Sequence, residues 1–138
     1  VPKGFPGLMQ AQKISKKVVS VGFEWETVDE IWQQVFEEID ELKEAYAEAP
    51  KNGLGKVLEK EHTTEEVGDV LFTVVNIARR MGVDAETALR RGCDKFRSRW
   101  EFIEHTAWSR GIDVDELTGD EMEDLWRVRQ GERIERIF

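Results

Sequence analysis

The segment EEVGDVLFTVVNIAR, from Glu65 to Arg79, is apolar around much of its helical circumference. Such a pattern is typical of a central helix in a bundle. Polar residues interrupt the pattern at spacings of three, four and three, namely at Glu66, Asp69, Thr73 and Asn76. These spacings place all four on one side of a helix, which we call the polar seam. The polar seam predicts contact with something other than apolar core.

The preceding segment predicts a second long helix. Thr27 is a plausible N-cap, and Glu30 follows three residues later, which is a capping-box pattern. We therefore expect a helix from Val28 to about Ala49, closed by Pro50. Its apolar stripe recurs every three or four positions and comprises Val28, Trp32, Val35, Ile39, Leu42 and Tyr46.

The other helix boundaries follow from local signals. A basic helix is expected over residues 8–20, and the helix of the polar seam should begin near Thr63 or Thr64 and end at Gly82. Asp84 is expected to cap a fourth helix. The apolar stripe of that helix includes Cys93, as a small buried hydrophobe, with Ala85, Ala88, Leu89, Gly92, Phe96, Trp100 and Ile103.

No alternating, strand-like run or internal repeat is present in the sequence. In the last segment, Met122, Leu125 and Trp126 could attach a final helix to the rest of the molecule. The sequence therefore predicts an all-α helical bundle. We expect a single domain over residues 1–138, with an extended arm at 1–6 and a C-terminal tail helix at 119–138.

Composition excludes several classes of function. The 138 residues carry 20 Lys and Arg against 29 Asp and Glu, a net charge of −9, which disfavours binding to a nucleic-acid polymer. A small phosphorylated ligand is compatible with this charge if a divalent cation mediates. No apolar run is long enough to span a membrane, and the one cysteine cannot form an internal disulfide. We expect a soluble protein of a reducing compartment, the cytoplasm.

Four carboxylates are candidate metal ligands. Glu38 interrupts an apolar column of the second helix, and Glu41 follows it on the same flank. Antiparallel packing of two helices joined by a connection such as residues 50–63 would bring both towards Glu66 and Asp69. Converging carboxylates repel one another, and a divalent cation with oxygen ligands relieves that repulsion. The set predicts Mg²⁺, or alternatively Mn²⁺, while the competing interpretation is of surface carboxylates paired with Lys or Arg.

Other residues and motifs of the sequence indicate other sites or functions. Lys95 and Arg99 lie four positions apart on the fourth helix and could bind an anionic ligand, although surface pairing with nearby Glu is the ordinary role of such residues. A di-metal oxidase needs two E-x-x-H motifs, and only Glu59 and His62 fit. A non-catalytic acidic module whose polar seam binds a partner helix remains an alternative.

Five ordered blocks resemble the MazG family of nucleoside triphosphate pyrophosphohydrolases. Two of them match the halves of the family's acidic motif, E-x-x-E and E-x-x-D, and the resemblance covers nearly the whole chain. The blocks are GLMQAQKISKKVVSVGFEW (7–25), EEIDEL (37–42), EEVGDVLFTVVNIAR (65–79), DKFRSRW (94–100) and EMEDLW (121–126).

This resemblance implies an all-α fold and Mg²⁺-dependent hydrolysis of (deoxy)nucleoside triphosphates to the monophosphate and pyrophosphate, in a homodimer or higher homo-oligomer. It implies nucleotide-pool cleaning with broad base tolerance. It implies the following roles: Glu38, Glu41, Glu66 and Asp69 as metal-binding and catalytic residues, Lys95 and Arg99 as triphosphate contacts, and Trp126 as a stacking partner of the base. Asn76, from its place on the polar seam, is expected to contact the ribose or to support the site.

Two alternatives stay open within the same family. One is a relative restricted to dUTP or dCTP, and the other is a phosphoribosyl-ATP pyrophosphohydrolase. The connection between the motif halves, residues 43–64, is longer than in the shortest members, so the edge of the site is expected to differ. A further N-terminal domain, as in members with two repeats, is also compatible with this sequence.

Overall fold

The computed structural model describes residues 1–129, and these residues form helices joined by short turns. The helices are α1 (Gly7–Ser20), α2 (Val28–Glu48), α3 (Glu61–Arg80), α4 (Ala85–Ser109) and α5 (Gly119–Arg129), with a 3-10 turn at Val114–Glu116. An isolated bridge between Lys51 and Val57 is the only β pairing within residues 1–129. The prediction of an all-α fold is confirmed.

The chain divides into two compact units, residues 1–88 and the part from Leu89 onward. In the first unit, α3 packs against both α1 and α2, so the helix of the polar seam is central to that unit as predicted. Its core includes Ile31, Val35 and Ile77, which are almost fully buried. Val28, Val35 and Ile39 of the predicted α2 stripe therefore belong to this core. Trp32 and Tyr46 of the same stripe are 39% and 44% exposed, and Ile31, outside the predicted stripe, is fully buried.

The start of α2 is capped as predicted, with one difference. The Thr27 hydroxyl oxygen accepts a hydrogen bond from the Glu30 N–H at 3.3 Å. The Glu30 carboxylate accepts from the N–H of Glu26 at 3.1 Å, one residue before the position that a standard capping box would use. The cap thus also fixes the turn that leads into α2.

The start of α3 differs from the prediction. The helix begins at Glu61, since the Thr64 N–H already bonds to the Lys60 carbonyl, at 2.8 Å, and no side chain caps it. The threonines therefore lie within the first turn and not at the N-cap. The acidic Glu61 in that turn interacts favourably with the positive end of the helix dipole.

The end of α3 is a Schellman turn that a buried glutamine holds in place. The Gly82 and Val83 N–H groups bond back to the carbonyls of Arg79 and Ala78, at 2.9 and 2.8 Å, and Gly82 has φ of +77°. The Gln12 side chain, 4% exposed, donates to the Val83 carbonyl at 2.8 Å and accepts from the Ala85 N–H at 2.7 Å. Gln12 thereby ties α1 to the turn between α3 and α4.

The fourth helix follows its predicted limits but not its predicted burial. Asp84 accepts from the Thr87 N–H at 2.9 Å and so caps α4 as expected. In this single chain, however, Leu89 is 55% exposed, Phe96 is 58% exposed, and Cys93 is exposed. The expectation of a buried Cys93 is wrong, because none of the described residues covers its side chain.

The second unit has a core of its own. Ile103, Ala107, Leu117 and Leu125 are buried together, with Met122 and Trp126 packed against them. The predicted attachment of the last helix through Met122, Leu125 and Trp126 is confirmed. The sequence predicts a tail helix from residue 119 to residue 138. Residues 130–138 of this prediction lie outside the described residues.

Within the described part of the chain, no helix combines the length and the apolar character needed to cross a membrane.

The Gln12 tie predicts a measurable loss of stability on substitution. We expect Gln12→Met to lower the free energy of unfolding by about 1–3 kcal/mol, because it leaves the Ala85 N–H without its buried partner. Urea denaturation of the variant and of Lys16→Met, an exposed change on the same helix, would measure this. An equal effect of the two substitutions would contradict the assignment.

Candidate active site

The packing of α2 on α3 brings three of the four predicted carboxylates together. Glu38 from α2 and Glu66 and Asp69 from α3 each offer a carboxylate oxygen, and these oxygens lie within 4.8 Å of one another. Glu38 and Glu66 are half-buried and Asp69 is exposed. We call this group the carboxylate cluster. It stands at the start of the polar seam, where one side is open to solvent.

Two oxygens of the carboxylate cluster are buried without a partner. Glu38 Oε1 accepts a hydrogen bond from Gln34 Nε2 at 2.7 Å, but Glu38 Oε2 and Glu66 Oε2 are buried and accept none from residues 1–129. Leaving a buried carboxylate oxygen unpaired is costly. These two atoms are therefore placed as ligands of a cation would be.

The fourth predicted ligand, Glu41, lies beside the carboxylate cluster and not within it. Its pKa is raised, mainly by the negative charge of Glu38 and further by burial and by the charges of Glu66 and Asp69. The structure thus brings oxygens of three predicted residues within 4.8 Å of one another and places the fourth within their electrostatic field. Like charges held this close favour the binding of a cation.

The chemistry of the cluster fits Mg²⁺ or Mn²⁺. All its ligand atoms are carboxylate oxygens, which hard divalent cations prefer. Among the described residues, no Lys or Arg forms an ion pair with a cluster member; His62 Nε2 lies 3.9 Å from Glu66 Oε1. The alternative of carboxylates paired with surface cations therefore has no support in this part of the chain.

A cavity of about 220 Å³ lies further along the polar seam, between α1, α3 and the turn that joins α1 to α2. Asn76 is two helical turns beyond Asp69, which is about 10 Å along the axis of α3. The walls are mostly apolar and include three aromatic rings. The lining residues are Ser15, Val18, Val19, Phe23, Glu24, Trp25, Phe72, Asn76 and Arg79.

Two arginines at the end of α3 hold the turn that carries Phe23 and Trp25, which we call the aromatic turn, beside this cavity. Arg79 donates two hydrogen bonds to the Glu24 carboxylate, at 2.7 and 2.9 Å, and its side chain is only 8% exposed. Arg80 donates to the carbonyls of Trp25 and Glu26 at 2.6 and 3.0 Å. The hydrogen bond from Arg79 holds the pKa of Glu24 below its ordinary value, although burial acts in the opposite direction.

A hydrogen-bonded chain connects the same arginine to Asn76. Arg79 Nε donates to Ser15 Oγ at 2.6 Å, and Ser15 Oγ donates to Asn76 Oδ1 at 2.6 Å. Ser15, Glu24 and Arg79 were not among the residues that the sequence predicted for the site. Their polar contacts join positions about 60 residues apart, which helical periodicity cannot show.

The remaining predicted site residues belong to the second unit. The Arg99 guanidinium lies 5.1 Å from the centroid of the Trp126 ring, and Phe96 packs edge-on against that ring at 4.8 Å. Lys95 is exposed. The Trp126 ring is thus in contact with Arg99 in this chain. Besides its predicted role in stacking on the base, Trp126 orients the arginine through a cation–π interaction.

The fold and the carboxylate cluster define a class of small helical domains with clustered acidic residues, and sequence comparison gives the family. The MazG nucleotide pyrophosphohydrolase domain model matches residues 26–102, more than half of the chain. The chain therefore belongs to the MazG family. The matched residues include the whole carboxylate cluster.

Curated relatives extend the match to almost the full length of the chain. It is 35% identical over 98% of its length to a protein of Escherichia coli (strain K12) named nucleoside triphosphate pyrophosphohydrolase. It is 31% identical over 91% of its length to a Thermotoga maritima protein named nucleoside triphosphate pyrophosphohydrolase/pyrophosphatase MazG. The chain spans about half the length of these relatives, 49% and 45% respectively.

The carboxylate cluster predicts a stability that depends on divalent ions. We expect Glu38→Gln to raise the melting temperature in EDTA by about 2–5 °C, since it removes one repelling charge, and to abolish further stabilisation by Mg²⁺. Thermal melts with EDTA and with Mg²⁺ would measure both effects. The control is Glu37→Gln, an exposed neighbour on α2; Mg²⁺ stabilisation of Glu38→Gln equal to that of the control would contradict the assignment.

The Arg79–Glu24 pair predicts a pH-dependent contribution to stability. Because the pKa of Glu24 is lowered from 4.5 in the folded chain, the pair stabilises the fold above that pH and loses its effect as the pH falls through the lowered pKa. We expect Glu24→Gln to cost about 1–2 kcal/mol at pH 7 and progressively less below pH 4.5. Denaturant titrations across this range, with Glu26→Gln as control, would test it; a pH-independent difference would refute it.

Proposed function

We propose that this domain hydrolyses nucleoside triphosphates between the α and β phosphates, giving the nucleoside monophosphate and pyrophosphate, with Mg²⁺ as cofactor. Membership of the MazG family and the names of the two curated relatives support this reaction. Nucleotide-pool cleaning with broad base tolerance is the biological role that fits it.

The observation that carries the proposal is the pair of buried, unpartnered oxygens of Glu38 and Glu66 within a group of three carboxylates. A site that binds a triphosphate with so acidic a wall needs a cation between the two, since phosphates and carboxylates repel each other. A helix-binding groove would gain nothing from burying those charges.

Glu38, Glu66 and Asp69 would hold the cation, with Glu41 beside them. When bound, Mg²⁺ supplies positive charge to the phosphates and lowers the pKa of water. One of these carboxylates would accept the proton of the attacking water. The packing of α2 on α3 fixes their positions in advance, so little reorganisation is required at the reaction step.

The cavity next to the aromatic turn is suited to the other end of the substrate. Its size fits a small planar group, since pockets for drug-sized ligands are typically about 300–1,000 Å³ and this one is about 220 Å³. Phe23, Trp25 and Phe72 offer ring surfaces on which any base can stack. Asn76 would contact the nucleoside. Lys95, Arg99 and Trp126 remain predicted substrate contacts that the family resemblance implies.

Product analysis tests the reaction. We expect the purified chain to release equal amounts of monophosphate and pyrophosphate from a mixed nucleotide pool only with Mg²⁺ or Mn²⁺ present, and we expect Glu38→Gln and Asp69→Asn to lower kcat by at least about 100-fold. Chromatography of nucleotides with a pyrophosphate assay would measure this, with Glu37→Gln as the active control.

Other products would point to other functions. Diphosphate with orthophosphate would mean attack at the γ phosphate, and turnover of only dUTP, dCTP or phosphoribosyl-ATP would mean a restricted relative. No product from any nucleotide, with no stabilisation by Mg²⁺, would favour the acidic interaction module.

A second copy of the chain is the proposed partner. Val67, Leu71 and Val74 form one stripe along α3, spaced four and three residues apart, and they are 40%, 51% and 49% exposed. Phe36 on α2 is 62% exposed as well. Contiguous apolar side chains on helices are typical of an association surface.

This stripe predicts that one substitution separates the subunits. We expect Leu71→Glu to convert a homodimer to a monomer, because it places charge in the centre of the apolar stripe. Sedimentation equilibrium would measure the mass. Leu54→Glu, in an exposed loop position, serves as control, and a Leu71→Glu protein of unchanged mass would contradict the use of this surface.

A further inference from the structure

The polar end of the cavity contains one group whose orientation is set by its neighbours. Asn76 Oδ1 accepts the hydrogen bond from Ser15 Oγ. Its amide nitrogen donates to no group within residues 1–129, although the side chain lines the cavity. The nitrogen is thus the atom of this amide that is available to a ligand.

The direction of the hydrogen bonds follows from the chemistry of arginine. A guanidinium has donors only, so Ser15 Oγ must accept from Arg79 Nε, and the single hydroxyl proton of Ser15 is used on Asn76 Oδ1. Reversing the amide would bring its N–H₂ group to the second lone pair of Ser15 Oγ, but it would take away the acceptor that the Ser15 hydroxyl proton has on Asn76 Oδ1. The burial of Ser15, 5% exposed, keeps water from replacing either bond.

The other polar side chains of the cavity are already engaged. Glu24 accepts hydrogen bonds from Arg79 and from the Trp25 N–H, and Arg80 lies 3.4 Å from its carboxylate. Its negative charge is therefore neutralised within the wall. A ligand entering the cavity meets aromatic surface and the donor group of Asn76.

We infer that the Arg79–Ser15–Asn76 chain fixes Asn76 as a hydrogen-bond donor to the nucleobase, so that the cavity favours bases with an oxo group over bases with an amino group at the same ring position. This inference rests on the proposed function, which supplies the nucleotide. Asn76 contacts the base, whereas Ser15 and Arg79 are positioning residues. The result is a graded preference within a broad substrate range.

The edge of the base that reaches Asn76 follows from how a nucleotide is built. Its sugar and phosphates extend from the base towards the carboxylate cluster, so the opposite edge of the ring leads into the cavity. That edge carries position 6 of a purine or position 4 of a pyrimidine. An oxo group there accepts from the Asn76 N–H₂, whereas an amino group presents donor against donor.

Matched nucleotides test the preference directly. ITP and ATP differ at position 6, and UTP and CTP differ at position 4, so each pair isolates the oxo-to-amino change with its accompanying ring proton. We expect kcat/KM to favour ITP over ATP and UTP over CTP by about tenfold, the effect of one hydrogen bond. The difference is expected in KM, since the base is remote from the reacting phosphates.

Variants of the chain distinguish the orientation of the Asn76 amide by Ser15 from a merely structural role of these residues. Ser15→Ala frees the amide to turn, so both ratios should fall to near one, while Ser15→Thr keeps the hydroxyl and should keep the ratios. Asn76→Asp replaces the donor by an acceptor and should reverse the preference towards ATP. Ser20→Ala, an exposed serine on the same helix, is the control and should leave the ratios unchanged.

Two results would overturn the inference while leaving the proposed function intact: turnover with ratios near one in the unaltered chain, or ratios that Ser15→Ala does not change.

A nucleoside titration tests the inference without turnover. Inosine and adenosine, added without Mg²⁺ and followed by NMR of the side-chain amide groups, should differ in affinity by the same factor. If no nucleotide is hydrolysed, the proposed function fails, and equal affinity for the two nucleosides would then refute the inference separately.

Discussion

Repulsion among the carboxylates of Glu38, Glu66 and Asp69 is the constraint around which the first unit is organised. The apolar contacts of Ile31, Val35 and Ile77 hold α2 against α3 and so keep the charges close. Their position is stable only because core packing opposes electrostatic repulsion. Carboxylate oxygens held this close together are ligands that a small, hard divalent cation prefers, and such a cation would offset their repulsion.

The polar seam of α3 links the carboxylate cluster to the cavity beside α1. Glu66 and Asp69 begin it, the buried Thr73 bonds back to the Val70 carbonyl, and Asn76 ends it at the cavity. One helix therefore carries two members of the carboxylate cluster at one end and the proposed base contact at the other. Rigid spacing along a helix suits a substrate whose reacting phosphates and base are separated by a sugar.

Buried polar contacts, and not apolar packing alone, join α1 to α3. Gln12 holds the turn after α3, and Ser15 connects Arg79 with Asn76. Such contacts are directional, so they specify one register between the two helices where apolar side chains would tolerate several. The two arginines at the end of α3 bind the aromatic turn, so the position of this turn depends on the register between α1 and α3. The shape of the cavity depends on that position.

Local sequence signals determined most of the helices and the three members of the carboxylate cluster. Periodicity located α2 and the polar seam, and Thr27, Gly82 and Asp84 marked helix ends, because caps and amphipathic faces depend on residues only a few positions apart. The same spacing selected Glu38, Glu66 and Asp69. Only the tertiary structure determined that Glu41 lies beside the cluster, that Cys93 is exposed, and that Ser15, Glu24 and Arg79 shape the cavity. These properties arise from contacts between helices distant in sequence, where geometry and competition for hydrogen bonds, and not local propensity, set the outcome.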